Sequence, residues 1–62
     1  MNDAMLKIAI KAWIEIAEEN RNFYQKQAGR ADGASEAARM WAVRDYYEGQ
    51  IQAYRVVLNW LE

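Results

Sequence analysis

ARMWAVRDYYEGQIQAYRVVLNWL, residues 38–61, carries two apolar series in one helical rhythm. Met40, Val43, Tyr47, Ile51, Tyr54, Leu58 and Leu61 recur at spacings of three and four, the interval that lines up side chains on one face of an α-helix. Ala38, Ala42, Tyr46, Gly49, Ala53, Val56 and Trp60 keep the same rhythm on an adjoining face. A helical hairpin needs one such seam to pack on itself. The second seam calls for another partner, most simply a second copy of the chain.

The first half repeats the arrangement. Leu6, Ile10, Trp13, Ala17, Tyr24 and Ala28 form one series, interrupted at Asn20 or Arg21. Met5, Ala9, Ala12, Ile16 and Phe23 form another, broken near Glu19 and Asn20. Lys7, Lys11, Glu15, Glu18, Asn22 and Gln25 occupy the remaining face, which reads as solvated.

Between the halves lies Gly29-Arg30-Ala31-Asp32-Gly33, and proline is absent throughout. The flanking segments are rich in good helix formers. Asn2 and Asp3 suit the cap of a first helix, and Gly29 suits a left-handed closing position. Asp32 or Ser35 suits the cap of a second helix, with Glu36 favourably placed in its first turn. The chain therefore reads as one helical-hairpin domain over residues 1–62, with helices at about 3–28 and 34–61 and a turn at about 29–33. So short a connection makes the helices antiparallel neighbours. A turn centred near Ala31 sets facing residues to numbers that sum to about 62.

Size sharpens the need for a partner. Sixty-two residues lie near the lower limit for unaided folding, and neither cysteine nor histidine is present to supply a disulfide or a structural zinc site. Met5, Ile8, Ile16, Phe23, Val56 and Trp60 would stay largely exposed in a lone hairpin. At roughly 1.5–3 kcal/mol for each large apolar side chain, that forgoes on the order of 10 kcal/mol. Whole domains are stable by only about 5–15 kcal/mol. The expected architecture is thus all-α, an antiparallel two-helix hairpin that homodimerises into a four-helix bundle. Its contact surface reads as Met5, Ala9, Ala12, Ile16 and Phe23 on the first helix with Ala42, Tyr46, Gly49, Ala53, Val56 and Trp60 on the second.

Gly49 costs its helix about 1 kcal/mol relative to alanine. With Ala53 it forms a small-xxx-small spacing, which admits a close helix crossing or a large ring such as the Trp13 indole. Most of the eight aromatic residues fall on the seams and read as core. Trp41 stands apart, beside the polar column of Asp45, Glu48, Gln52 and Asn59. It reads either as a contact for a partner protein or as packing over the turn against Phe23 or Tyr24.

Other chemistries find less support. Glu15 with Glu18, and Asp45 with Glu48, are i, i+3 carboxylate pairs at matching levels. Their spacing resembles the magnesium sites of all-α nucleotide pyrophosphohydrolases. Both pairs, however, project from solvated faces with no basic cluster to complete a phosphate pocket. Ion pairing of Glu18 with Arg44 across the helices, and of Arg44 with Glu48 along one, accounts for the charges more simply.

A net charge of −1 and a small excess of arginine near the turn disfavour a nucleic-acid binder. Met5 to Ala17 is too short and too charged to span a bilayer, and it lacks the form of a signal peptide, so a cytoplasmic protein is expected. No catalytic, metal or cofactor constellation emerges, and the reading is non-enzymatic.

Tyr47-Glu48-Gly49 followed by Ala53-Tyr54-Arg55-Val56-Val57-Leu58-Asn59-Trp60-Leu61 follows the pattern G-x-x-x-A-Y-x-x-V-L-x-W-L. This resembles the ending of small helical-hairpin proteins of bacterial, phage and prophage genomes. The resemblance covers about a quarter of the chain and implies a fold and a mobile-element origin. It also implies a role of the kind such accessory proteins often play, binding and blocking a host protein.

Overall fold

The computed structural model describes residues 3–62 and contains two helices, α1 (Asp3–Arg30) and α2 (Ala34–Leu61), packed against each other along their length. The hairpin is a rod of 47 × 14 × 14 Å. Asp3 in the first turn of α1 and Arg30 in its last turn place a charge of the favourable sign at each end of the helix dipole. Glu36 does the same in the first turn of α2. Asn2, an expected cap, lies outside the described residues.

The connection is tighter than its glycines suggest. α1 runs through Gly29 to Arg30, leaving three residues, Ala31 to Gly33, to reverse the chain. None of the described glycines has a positive φ, so Gly29 is a helical residue and not the left-handed stop expected of it. Instead the last turn tightens, with the Ala31 amide donating to the Ala28 carbonyl at 3.4 Å, a three-residue bond of the 3₁₀ type.

Neither Asp32 nor Ser35 caps α2. Gly33 holds that position in extended backbone (φ −149°, ψ 155°), without a side-chain cap. Its carbonyl accepts the Ala37 amide at 2.9 Å.

The core is a narrow strip. Ile10, Ile14 and Ala17 of α1 close around Ile51 of α2, which is fully buried at 0% exposure. Leu6, Tyr47, Tyr54, Leu58 and Leu61 pack around them. The large-residue series of residues 40–61 is therefore the hairpin's own seam.

On α1 the seam differs from the expected one, because Ile14 is buried while Trp13 remains 47% exposed. The two side chains are about 100° apart on the helix, so only one can face Ile51. Trp13 lies at the edge of the strip, its ring centroid 5.9 Å from that of Tyr54.

The register also differs. Trp13 meets Tyr54, Arg21 meets Glu48, and Tyr24 stacks on Tyr47 at 5.9 Å. These pairs have numbers summing to about 67–71, not about 62. Two causes raise the sum, and the length of these side chains adds to them: the turn centres on Asp32, and helical side chains lean toward their own N-terminus. Each residue therefore covers the level about one position before it.

Candidate interaction surface

The two long sides of the hairpin have opposite chemistry. Along one side, polar side chains bridge α1 and α2. Arg21 Nη1 donates to Glu48 Oε2 at 2.8 Å, and Arg55 Nη2 to Glu18 Oε2 at 3.1 Å. Arg44 Nε donates to Gln25 Oε1 at 3.1 Å, and Lys11 Nζ lies 3.8 Å from Glu62 Oε1.

The residues involved are 11, 18, 21 and 25 on one side and 44, 48, 55 and 62 on the other, spacings of three, four and seven that hold each set on one helical face. The pairing expected between Glu18 and Arg44 is replaced by this register-shifted set. Arg44 is bonded to Asp45 and Gln25 in place of a bridge to Glu18.

Arg21 and Glu48 are the most enclosed of these pairs, with side chains 20% and 25% exposed. The hydrogen bond from Arg21 holds the Glu48 carboxyl below the ordinary glutamate range, partly offset by desolvation. The positive charges of Arg21, Arg44 and Arg55 act in the same sense as the bond. Glu18 and Glu48 are thus each engaged by an arginine. Among the described residues, no group of three or more histidine, cysteine, aspartate or glutamate side chains is placed to hold a metal ion.

The opposite side is apolar. Viewed down either helix from its N-terminus, the polar bridges lie within about 100° to one side of the buried seam, and the second apolar series lies about 100–180° to the other. Because the helices are antiparallel, the same rotational sense on both places the polar bridges on one side of the rod and turns the apolar series from the opposite side round to the outer edges, where Gly49, Val56 and Ala12 lie.

Met5, Ala12, Ile16 and Phe23 of α1, and Ala42, Tyr46, Gly49, Ala53, Val56 and Trp60 of α2, are all exposed, and Ala9 is partly so. Ile16 is 56% exposed and Trp60 is 77% exposed. Between the two series runs an open groove lined by Trp13, Ile16, Ala17 and Asn20 from α1 and by Gln50 and Tyr54 from α2. Asn20, an interruption when read as sequence, thus belongs to this surface. Gln50 also orders it, donating from Nε2 to the Tyr46 hydroxyl at 2.8 Å. Neither residue belongs to the apolar pattern, so periodicity alone does not mark them.

Gly49 sits in this surface without the neighbour expected of it. A β-carbon built there would meet nothing within 4 Å. The Trp13 indole does not fill the notch, because it packs on Tyr54.

Trp41, on the polar side of α2, is 44% exposed. The Arg44 guanidinium carbon lies 6.0 Å from its ring centroid, the outer range of a cation–π contact. The expected packing of Trp41 against Phe23 or Tyr24 is absent, since Phe23 meets Tyr24 edge-on at 5.1 Å and Tyr24 stacks on Tyr47.

No helix among the described residues is long and apolar enough to cross a membrane. Comparison with protein-family models, curated proteins and solved structures yields no match.

Proposed function

We propose that the chain is a homo-oligomeric, non-enzymatic protein–protein interaction module, in which two hairpins join through their apolar sides as a four-helix bundle. The observation that carries this reading is Gly49. Its helix penalty of about 1 kcal/mol gains nothing inside the hairpin, where its notch stands empty. A facing helix from a second copy would use that space.

Area supports the same partner. The hairpin exposes 4606 Å², about a tenth more than a compact monomer of this size, for which the usual scaling gives about 4,200 Å². Aromatic side chains offer about 150–250 Å² each, so Phe23, Tyr46 and Trp60 at their observed exposures present on the order of 400 Å². Ile16, Val56, Ala12 and Ala53 enlarge the patch toward the roughly 800 Å² per partner of a standard stable interface.

The bundle in turn serves as a regulator or inhibitor that docks on another protein. The resemblance of the C-terminal helix to mobile-element hairpins supports this, and Trp41, outside the paired surface, is the residue assigned to that contact.

Light scattering on a sizing column tests the pairing. The wild type should elute with twice the chain mass, and Gly49→Leu should shift it to one chain mass while keeping full helicity by circular dichroism. A wild-type monomer at micromolar concentration overturns the proposal.

A further inference from the structure

We propose that Asn20 and Gln50 make the apolar side selective for its own copy, the Asn20 amide of one chain donating to the Gln50 side-chain oxygen of the other. The inference rests on the pairing above and adds what lets the surface recognise itself.

The two carboxamides line one groove with Trp13, Ile16, Ala17 and Tyr54, and no charged side chain lines it with them. Both are only partly exposed. A second hairpin laid on the groove takes them out of water, where an amide without a partner is costly.

Their hydrogen-bonding capacity is uneven. Gln50 gives one N–H to the Tyr46 hydroxyl at 2.8 Å, and its Oε1 remains an acceptor. Asn20 makes no side-chain hydrogen bond among the described residues, so both of its donors are open. Asn20 thus offers donors where Gln50 offers an acceptor. A symmetric interface presents both on each copy, and the crossing pair forms twice.

Position brings the pairs together. α1 spans Asp3–Arg30 and α2 spans Ala34–Leu61, so Asn20 and Gln50 each lie within about 5 Å of the middle of their helix. Two rods overlapping along their full length therefore bring these residues together, with the turns at the same end or at opposite ends. A partner helix carrying only apolar side chains would strand both amides, and so would a copy slid along the rod. Buried amides fix register and partner in this way in coiled helices, at a cost in stability.

Asn20→Leu and Gln50→Leu, one of them labelled with nitrogen-15, test the crossing pair by native mass spectrometry. Each variant alone sets a leucine against an amide at both contacts. Its dimer should weaken at least about tenfold in sedimentation, with helicity kept. In a mixed dimer the two leucines meet at one contact, and Asn20 meets Gln50 at the other. The mixture should therefore favour the mixed dimer well beyond the proportion set by random exchange. Random mixing, or variants that associate as tightly as the wild type, overturns the crossing pair and leaves the pairing of hairpins standing. A wild type that sediments as a single chain overturns both.

Discussion

The polar and apolar sides of the hairpin both arise from residues spaced three, four and seven apart, yet they are satisfied in different ways. On the polar side, long arginine and lysine side chains reach across the helix pair and find carboxylate or amide partners within the same chain. On the apolar side, short and branched side chains point away from the seam and reach no such complement. Length explains the difference. A guanidinium can swing back over the neighbouring helix, while Ile16 or Val56 can bury its surface only against something brought to it. A two-helix rod therefore makes its cross-helix polar bridges alone and leaves its second apolar series without a facing helix.

The strongest way to test that contrast is to remove what both sides share. Ile51→Ala deletes the one fully buried side chain between them and should cost about 2–5 kcal/mol. For a chain of this size that is most of its stability, so denaturant titration followed by circular dichroism should find the variant largely unfolded at room temperature. Retention of a wild-type midpoint would show that the strip around Ile51 does not hold the helices together.

An intermediate effect should come from the apolar side alone. Ile16→Lys changes an exposed residue of the hairpin, where surface substitutions usually stay within about 0.5 kcal/mol. In the paired state it buries an uncompensated charge, costing about 3–5 kcal/mol. Self-association measured by sedimentation should weaken by at least about a hundredfold, with helicity kept. Unchanged self-association would remove Ile16 from the contact.

The smallest effect belongs to the polar side and depends on pH. The Glu48 carboxyl is held below the ordinary range by Arg21, so in mildly acid solution the unfolded chain binds more protons than the folded one. The stabilisation is complete above the ordinary glutamate value of about 4.3. It disappears as pH falls through the lower folded value. Wild-type melting temperature should therefore drop more steeply than that of Glu48→Gln between about pH 5 and pH 3. Parallel curves would show that this bridge contributes no pH-dependent stability.

Much of this division was legible from spacing. The helices, the short reversal and the seam of Tyr47, Ile51, Tyr54, Leu58 and Leu61 follow from periodicity and the absence of proline. The exposed series on both helices was also visible as a second stripe. Periodicity could not choose between Trp13 and Ile14, because both fit three-and-four spacings from Ile10 and Ala17. That choice depends on the rotational phase of α2.

The register was misplaced because Gly29 reads as a helix stop, while the helix passes through it to Arg30. Shifting the register exchanged the one cross-helix ion pair expected, so Glu18 meets Arg55 in place of Arg44, and Glu48 meets Arg21. Asn20 and Gln50 lay beyond a reading of apolar periodicity, since their place in the groove follows from how the two helices face each other.

The three tryptophans have a practical consequence. Trp60 and Trp13 stand on or beside the apolar side, and Trp41 stands on the other, all with substantial solvent contact. Indole emission shifts toward the blue when water leaves the ring. A variant that keeps Trp60 alone would report association of the apolar sides, while one that keeps Trp41 alone would respond to whatever touches the opposite side. The molecule carries two separate optical gauges, one for each of its sides.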